Sequence, residues 1–355
     1  MKLNAKTLLI GGICSLAFVV LMSFYYDYVI DDAFIGYRYS EHLAQGHGIV
    51  WNIGEDPVEG YTNFLWVVLN AAAIFCKVNP VVFSKILSSV AALAIIWILS
   101  IAGRQMHWSF ALIFVGAIGF SSHFAFLTMQ GLETAFTSML MLLTALLTLK
   151  IITRPAKKLI FFWFLAAFLS ALSRPDTVPF SAGLFIGILG SLIYEKQMIA
   201  LKGFLLFSII FGVLGLLYMA WRISYFGYVF PNTFYLKMGT GTGIIKSIGK
   251  NYVKDFLRKM LYPYLIVIGF LFGRHFNKER LFRVIPILLG CLFFGFYLLT
   301  IIPTQGHLWR FIYPVFPVFL LAIIYCFADY QPEDHKREGD DATATLFSIS
   351  LTYIF

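Results

Sequence analysis

The chain has 355 residues, 60% of them hydrophobic and 18% aromatic, with a mean hydropathy of +0.82. Charged residues make up only 13%, against roughly 25% in soluble domains, which excludes an ordinary soluble enzyme. The net charge of +9 lies largely between apolar runs, where basic residues orient spans and meet anionic lipid, so a nucleic-acid partner is not expected.

Several apolar runs reach or approach the ~20 residues that cross a bilayer, and they are continuous rather than alternating, which excludes a β-barrel. The expected fold is an all-α, polytopic transmembrane helical bundle. The first run, Leu8 to Met22, follows Lys2 and Lys6. It has the outline of a signal peptide, but Phe24-Tyr25-Tyr26-Asp27 lacks the small residues of a cleavage site, so a retained first span is expected. Further spans are expected at 81–102, 109–127, 132–152, 158–173, 178–194, 203–225, 260–273, 284–302 and 310–328. The run 64–77 is short for a crossing. The basic clusters at Lys2/Lys6, Arg104, Lys150–Lys158, Lys196/Lys202, Arg274–Arg283 and Lys336/Arg337 share one side only if 64–77 does not cross, or merges with 81–102 into one interrupted helix. About ten crossings with both termini cytoplasmic are therefore expected, or about eleven if it does cross. Residues 1–328 form the membrane domain and 329–355 a short cytoplasmic tail, too small for a domain of its own. Cys14, Cys76, Cys291 and Cys326 lie in or beside apolar runs and show no disulfide framework or CxxC metal pair.

Two long segments then fall on the extracytoplasmic side. Segment 27–62 carries seven acids against Arg38 alone, and segment 227–259 carries six bases against Asp255. An acidic and a basic surface on one face suit a site that removes a proton and stabilises a departing phosphate. Residues 33–44 read as an interfacial helix, with Phe34, Ile35, Tyr37 and Leu43 toward lipid and Arg38, Glu41 and His42 toward water.

Asp31-Asp32 directly precedes that helix. Adjacent acids repel each other at a partly desolvated surface. One reading is an N-cap, although a single Asp would serve. A second is a general base with a partner that tunes it. A third is a divalent-cation site completed by Asp56, Glu59 or His47, although no regular ligand spacing is visible. Glu59-Gly60-Tyr61-Thr62-Asn63 forms a polar turn. Gln130-Gly131-Leu132-Glu133-Thr134 and Ser173-Arg174-Pro175-Asp176 each separate two spans on the Asp31 face. Glu133 and Asp176 are suited to helix N-termini, and Arg174 to snorkelling or to phosphate. Pro231 to Lys237 opens the basic segment, and Gln305-Gly306-His307-Leu308-Trp309-Arg310 precedes the last span.

Taken in order, these pieces resemble the GT-C superfamily of integral-membrane glycosyltransferases, and most closely proteins similar to mycobacterial cell-wall arabinofuranosyltransferases. The likeness rests on Asp31 to Ile35, Gly46 to Gly48, Glu59 to Asn63, Gly131 to Glu133, Arg174-Pro175-Asp176, Pro231 to Tyr235 with Lys237, and Arg310-Phe311. Two departures stand out: Gln305 occupies a place where relatives often carry an acid, and the chain stops soon after the last expected span. The resemblance implies a bacterial inner-membrane enzyme with its site on the periplasmic side, moving a sugar from a polyprenyl-phosphate donor to a glycan, lipid or protein acceptor with inversion. No cofactor is required by it, and a divalent cation stays an open alternative. It implies Asp31 as general base with Asp32 orienting it, or the reverse. It also implies Arg174, Lys237 and Arg310 at the donor phosphate, and Glu59, Tyr61, Glu133, Asp176 and His307 at sugar or acceptor. The rival classes are a transporter or flippase of lipid-linked sugars, which calls for charges within spans and inverted repeats, and a non-catalytic assembly subunit.

Overall fold

The computed structural model describes residues 4–232, 242–261, 264, 278–299 and 309–327. Among these residues it is helical throughout, with no strand. The helices are α1 (Ala5–Ser23), α2 (Asp31–Ala44), α3 (Phe64–Phe75), α4 (Pro80–Ala102), α5 (Trp108–Gly119), α6 (Ser122–Met129), α7 (Thr134–Thr153), α8 (Lys157–Ser173), α9 (Thr177–Tyr194), α10 (Met198–Phe226), α11 (Thr242–Phe256), α12 (Lys278–Leu298) and α13 (Phe316–Cys326). Seven helical segments are long and apolar enough to cross a bilayer: α1, α4, α5 with α6, α7, α9, α10 and α12. This is a polytopic membrane bundle, and its outer apolar surfaces contact lipid.

Side-chain contacts fix the direction of each helix. Lys6 of α1 donates to the carbonyl of Met106, just beyond α4, and Lys85 near the start of α4 donates to the carbonyl of Tyr26, just beyond α1. The two helices therefore run antiparallel, and Pro80 lies at the same end of the bundle as Asp31. Both ends of α3 are at that end, so the 64–77 run does not cross. With only 12 residues, α3 would extend about 18 Å. It packs on α2 instead, as an αα-hairpin capping the Asp31 end. Two further helices run from end to end. Thr137 meets Ser173 and Thr148 meets Trp163, pairing α8 with α7. Ser138 reaches Pro314 at one end of α13, and Arg280 reaches Tyr325 at the other.

Two sequence expectations change. The expected span 109–127 is broken at Phe120 and Ser121, where Ser121 caps α6 through the Phe124 amide. The expected span 310–328 begins instead as a turn and a 3-10 segment, Tyr313–Val315, and becomes α-helical only at Phe316. Most of the expected span 260–273 and the tail 329–355 lie outside the described residues.

The core is an aromatic and aliphatic layer centred on Phe114, Phe124, Phe180, Tyr313 and Phe316. Gly183 and Gly187 let α9 approach α12 backbone to backbone. A Cβ built on Gly183 would sit 2.5 Å from the Leu289 carbonyl oxygen, and one on Gly187 would meet Pro286. Without a hydrophobic drive between helices in lipid, such small-residue contacts are a main source of association.

Candidate active site

The acids and bases singled out in sequence come from four separate turns at the Asp31 end. The first is the start of α2. This helix begins at Asp31 itself, two residues before the expected 33, so the carboxylates occupy its first turn rather than the cap. The N-cap is Ile30, without a side-chain bond. Neither Asp is the N-cap residue, but Asp31 Oδ1 accepts the free first-turn amide of Asp32, at 2.9 Å. The turn is held from outside. The Ile30 amide donates to Gln130 O at 3.1 Å. Tyr37 Oη and Trp66 Nε1 both donate to Gly131 O, each at 3.1 Å. Gly131 has φ +89°, and a Cβ there would lie 2.6 Å from Tyr37 Oη. Gly131→Ala is expected to cost at least about 1–2 kcal/mol from the left-handed backbone alone. It should also shift α2, readable as a lower thermal midpoint in detergent.

The second turn, between α6 and α7, carries Glu133. It sits at the N-cap position of α7 but makes no cap bond. Its Oε2 accepts from Asn63 Nδ2 at 2.7 Å. The third turn, between α8 and α9, carries Arg174, Pro175 and Asp176. Asp176 likewise does not cap α9 with its side chain. It faces back to Arg174, taking Nε at 3.1 Å and Nη2. Arg174 Nη1 is 3.9 Å from Glu133 Oε1 and donates to Arg310 O at 3.3 Å. Burial works against the Arg174 charge, but Asp176 and Glu133 outweigh it, so its pKa is raised.

The fourth turn carries Arg310. It follows Trp309, whose φ of +54° is unusual for a bulky residue. Such outliers persist where surroundings over-determine them, and here the Trp309 ring stacks on His123 at 5.2 Å. Arg310 Nη2 donates to Asp32 Oδ2 at 2.9 Å, with side chains 10% and 17% exposed. Its Nη1 is buried and has no hydrogen-bond partner among the described residues. The Phe311 ring lies under both guanidiniums, 5.1 Å from Arg310 and 5.3 Å from Arg174. Tyr252 of α11 accepts the Phe311 amide at 3.1 Å, which ties the basic helix to this turn.

The structure thus joins Asp32, Glu133, Arg174, Asp176 and Arg310 in one buried network. It divides the two Asp residues: Asp32 turns inward to Arg310, while Asp31 is exposed and pairs with no base among the described residues. Glu59 and Tyr61 lie elsewhere. Glu59 is buried against Arg222 of α10, with Nε–Oε1 2.8 Å and Nη2–Oε2 2.5 Å. Tyr61 is buried between Tyr39 and Phe226. Neither joins the Asp31 network by a hydrogen bond or ion pair among the described residues. Lys237 and His307 lie outside the described residues. Among the described residues no group of three or more His, Cys, Asp or Glu is placed to hold a metal ion, including the Asp31, Asp32, Asp56, Glu59 and His47 set.

The interfacial amphipathicity expected for α2 is also revised. Ile35 and Leu43 pack into the Tyr39 cluster with Phe64 and Val67 of α3, and Tyr37 is buried against Ile30, Ala33, Leu132 and Val81. Phe34 remains exposed. Sequence reasoning assigns no site role to Asn63 or Phe311, although both fall in its motifs, and does not single out Arg222, the partner of Glu59. Arg222 carried a readable signal, since a lone charge inside an apolar run demands a partner.

Compared with protein-family models, curated proteins and solved structures, the chain significantly matches none of them.

Proposed function

We propose that this protein is an inverting, GT-C-type glycosyltransferase of a bacterial inner membrane, taking a sugar from a polyprenyl-phosphate donor on the periplasmic side. The observation that carries the reading is the division of labour at the start of α2. One carboxylate is clamped to a buried arginine with an unused donor, and the adjacent one is accessible. In the reaction, Asp31 takes the proton of the acceptor hydroxyl as its oxygen attacks the anomeric carbon from the face opposite the phosphate. The bond from that carbon to the phosphate oxygen breaks, and its electron pair leaves with polyprenyl phosphate. The transition state is oxocarbenium-like, and stabilising the departing charge is as important as removing the proton.

Arg310 supplies that stabilisation through Nη1, the buried donor without a partner among the described residues. Arg174 acts one step back. Its donors face Asp176, Glu133 and the Arg310 carbonyl, so it positions Arg310 rather than binding phosphate directly. Glu133 and Asp176 balance Arg174, and the network of three acids and two arginines carries a formal charge of about −1. A phosphate entering it therefore benefits from further bases, and Lys250, Lys254 and Arg258 of the α11 region lie exposed at the same end.

The test is sugar transfer by the purified protein, with a panel of polyprenyl-phosphate sugars and simple glycoside acceptors, with and without chelator. Arg310→Lys keeps the charge but loses the planar fork. It is expected to raise the donor KM by about tenfold or more while sparing the acceptor KM. No transfer or donor hydrolysis by folded wild type with any donor would overturn the enzyme reading. Product loss on chelation would add a metal to the mechanism.

A further inference from the structure

The exposed face of α2 continues from Asp31 into a cleft that the network above does not use. Asp31, Phe34, Arg38 and Glu41 are the exposed residues of the helix up to that point. Their spacing of three, seven and ten places them on one side. A cleft of about 530 Å³ opens there, lined by Phe34, Tyr37, Arg38, Glu41, His42 and the α3–α4 turn at Ile74 and Pro80. Its volume falls within the about 300–1,000 Å³ of small-molecule sites.

The chemistry of the lining is specific. Phe34 is 55% exposed yet held edge-on against Tyr37 at 5.7 Å, so it is a fixed apolar wall rather than a loose side chain. Arg38 is pinned by Nε to Trp51 O and Nη2 to Asn52 Oδ1, both at 2.8 Å, and by the Trp51 ring at 4.3 Å. That leaves Nη1 oriented without cost to side-chain entropy. Glu41 receives Gln45 on Oε1, leaving Oε2 as an acceptor. His42 Nδ1 lies 2.9 Å from Val50 O. A carbonyl can only accept, so Nδ1 carries the hydrogen and Nε2 is an acceptor in the neutral ring. A rigid aromatic wall with a guanidinium, a carboxylate and an imidazole preset around it matches a saccharide. A sugar ring offers one C–H face to an aromatic and a rim of hydroxyls that both donate and accept.

We propose that this cleft binds the acceptor saccharide and delivers its hydroxyl to Asp31. The placement rests on the glycosyl-transfer reading, but the saccharide site can be tested without it. Asp31 is one helical turn, about 5 Å, from Phe34 along the same face, close to the length of one sugar unit. The cleft therefore lies on the Asp31 side of α2, about 100° round the helix from the Asp32 side that meets Arg310, so both substrates are brought together at the start of the helix.

The experiment is equilibrium binding of an oligosaccharide panel to the detergent-solubilised protein by calorimetry, followed by transfer kinetics. Phe34→Ala and Glu41→Gln change exposed side chains and should fold. Each is expected to weaken saccharide binding and raise acceptor KM by about tenfold or more, the loss of one hydrogen bond to a charged group or of an aromatic face. Donor KM and donor hydrolysis by water should be unchanged, and Asp56→Asn, outside the cleft, should behave as wild type. Absence of saccharide binding by wild type, unchanged binding in both variants, or saturation of the cleft by glycerophosphoethanolamine instead of sugars would overturn the proposal. Saccharide binding that responds to the variants, with no transfer from any donor, would support the cleft and overturn the enzyme reading alone.

Discussion

Asp31→Asn is expected to lower sugar transfer by about 10²- to 10⁴-fold, the usual contribution of a positioned general base, while donor binding stays within twofold of wild type (roughly 0.4 kcal/mol). Asparagine keeps the size of the side chain and its acceptor oxygen for the Asp32 amide but cannot take a proton. The neighbouring variant should fail differently. Asp32→Asn replaces a charged acceptor with a neutral amide opposite Arg310. The guanidinium then loses its anchor, so donor KM should rise along with a fall in kcat. Steady-state kinetics with donor and acceptor varied separately, plus donor binding by the inactive protein, separates the two. Retained turnover in both single variants would remove the base from this pair altogether. A loss in Asp32→Asn with an active Asp31→Asn would exchange their roles.

The second large effect concerns stability. Glu59 and Arg222 form a two-point ion pair with side chains only 5% and 6% exposed. Arg222 Nη1 also reaches Val229 O at 2.6 Å, and the Asn232 amide donates to Glu59 O at 3.1 Å. The pair therefore staples the first long loop to the end of α10. Removing one partner leaves a buried, uncompensated charge, which costs about 3–5 kcal/mol. Arg222→Met or Glu59→Gln should thus lower the thermal midpoint substantially in detergent. The double change Glu59→Leu with Arg222→Met should recover much of the loss, because the desolvation of both charges disappears together. A penalty below about 1 kcal/mol in the single variants would mean that water or lipid headgroups reach the pair.

Both predictions bear on how each residue is interpreted. From sequence, Glu59 and Arg174 look like binding groups because they are charged and lie near turns on one face. In the fold each is matched by partners, Glu59 by Arg222 at long range, and Arg174 by Asp176 two residues on and by Glu133 and the Arg310 carbonyl at long range. Arg310 is the exception, and its position next to a left-handed Trp309 directs the side chain inward. Charge and turn location cannot separate a group that is satisfied internally from one that is left for a ligand. Only the count of partners does.

What the sequence determined by itself is the membrane bundle and the clustering of its chemistry. Apolar run length sets which segments become helices, because lipid leaves backbone groups no other partner. The basic clusters favour a 64–77 run that does not cross without settling it, and α3, 12 residues long with both ends on the Asp31 side, decides it. The Asp31, Glu133, Arg174 and Arg310 turns fall at one end because alternate connections of antiparallel spans must. Tertiary structure alone decided three things. It started α2 two residues earlier, so that the acids lie in the helix rather than before it. It packed Ile35 and Leu43 against α3 and Tyr37 against Leu132 and Val81, turning an expected lipid-facing surface into packing. It sent Asp32 inward and Asp31 outward. Adjacent residues on a helix differ by about 100°, so two identical acids meet different neighbours once the helix is fixed in rotation. That rotation is set by the Gly131 carbonyl and by α3, contacts across 65 to 94 residues, which no local pattern encodes.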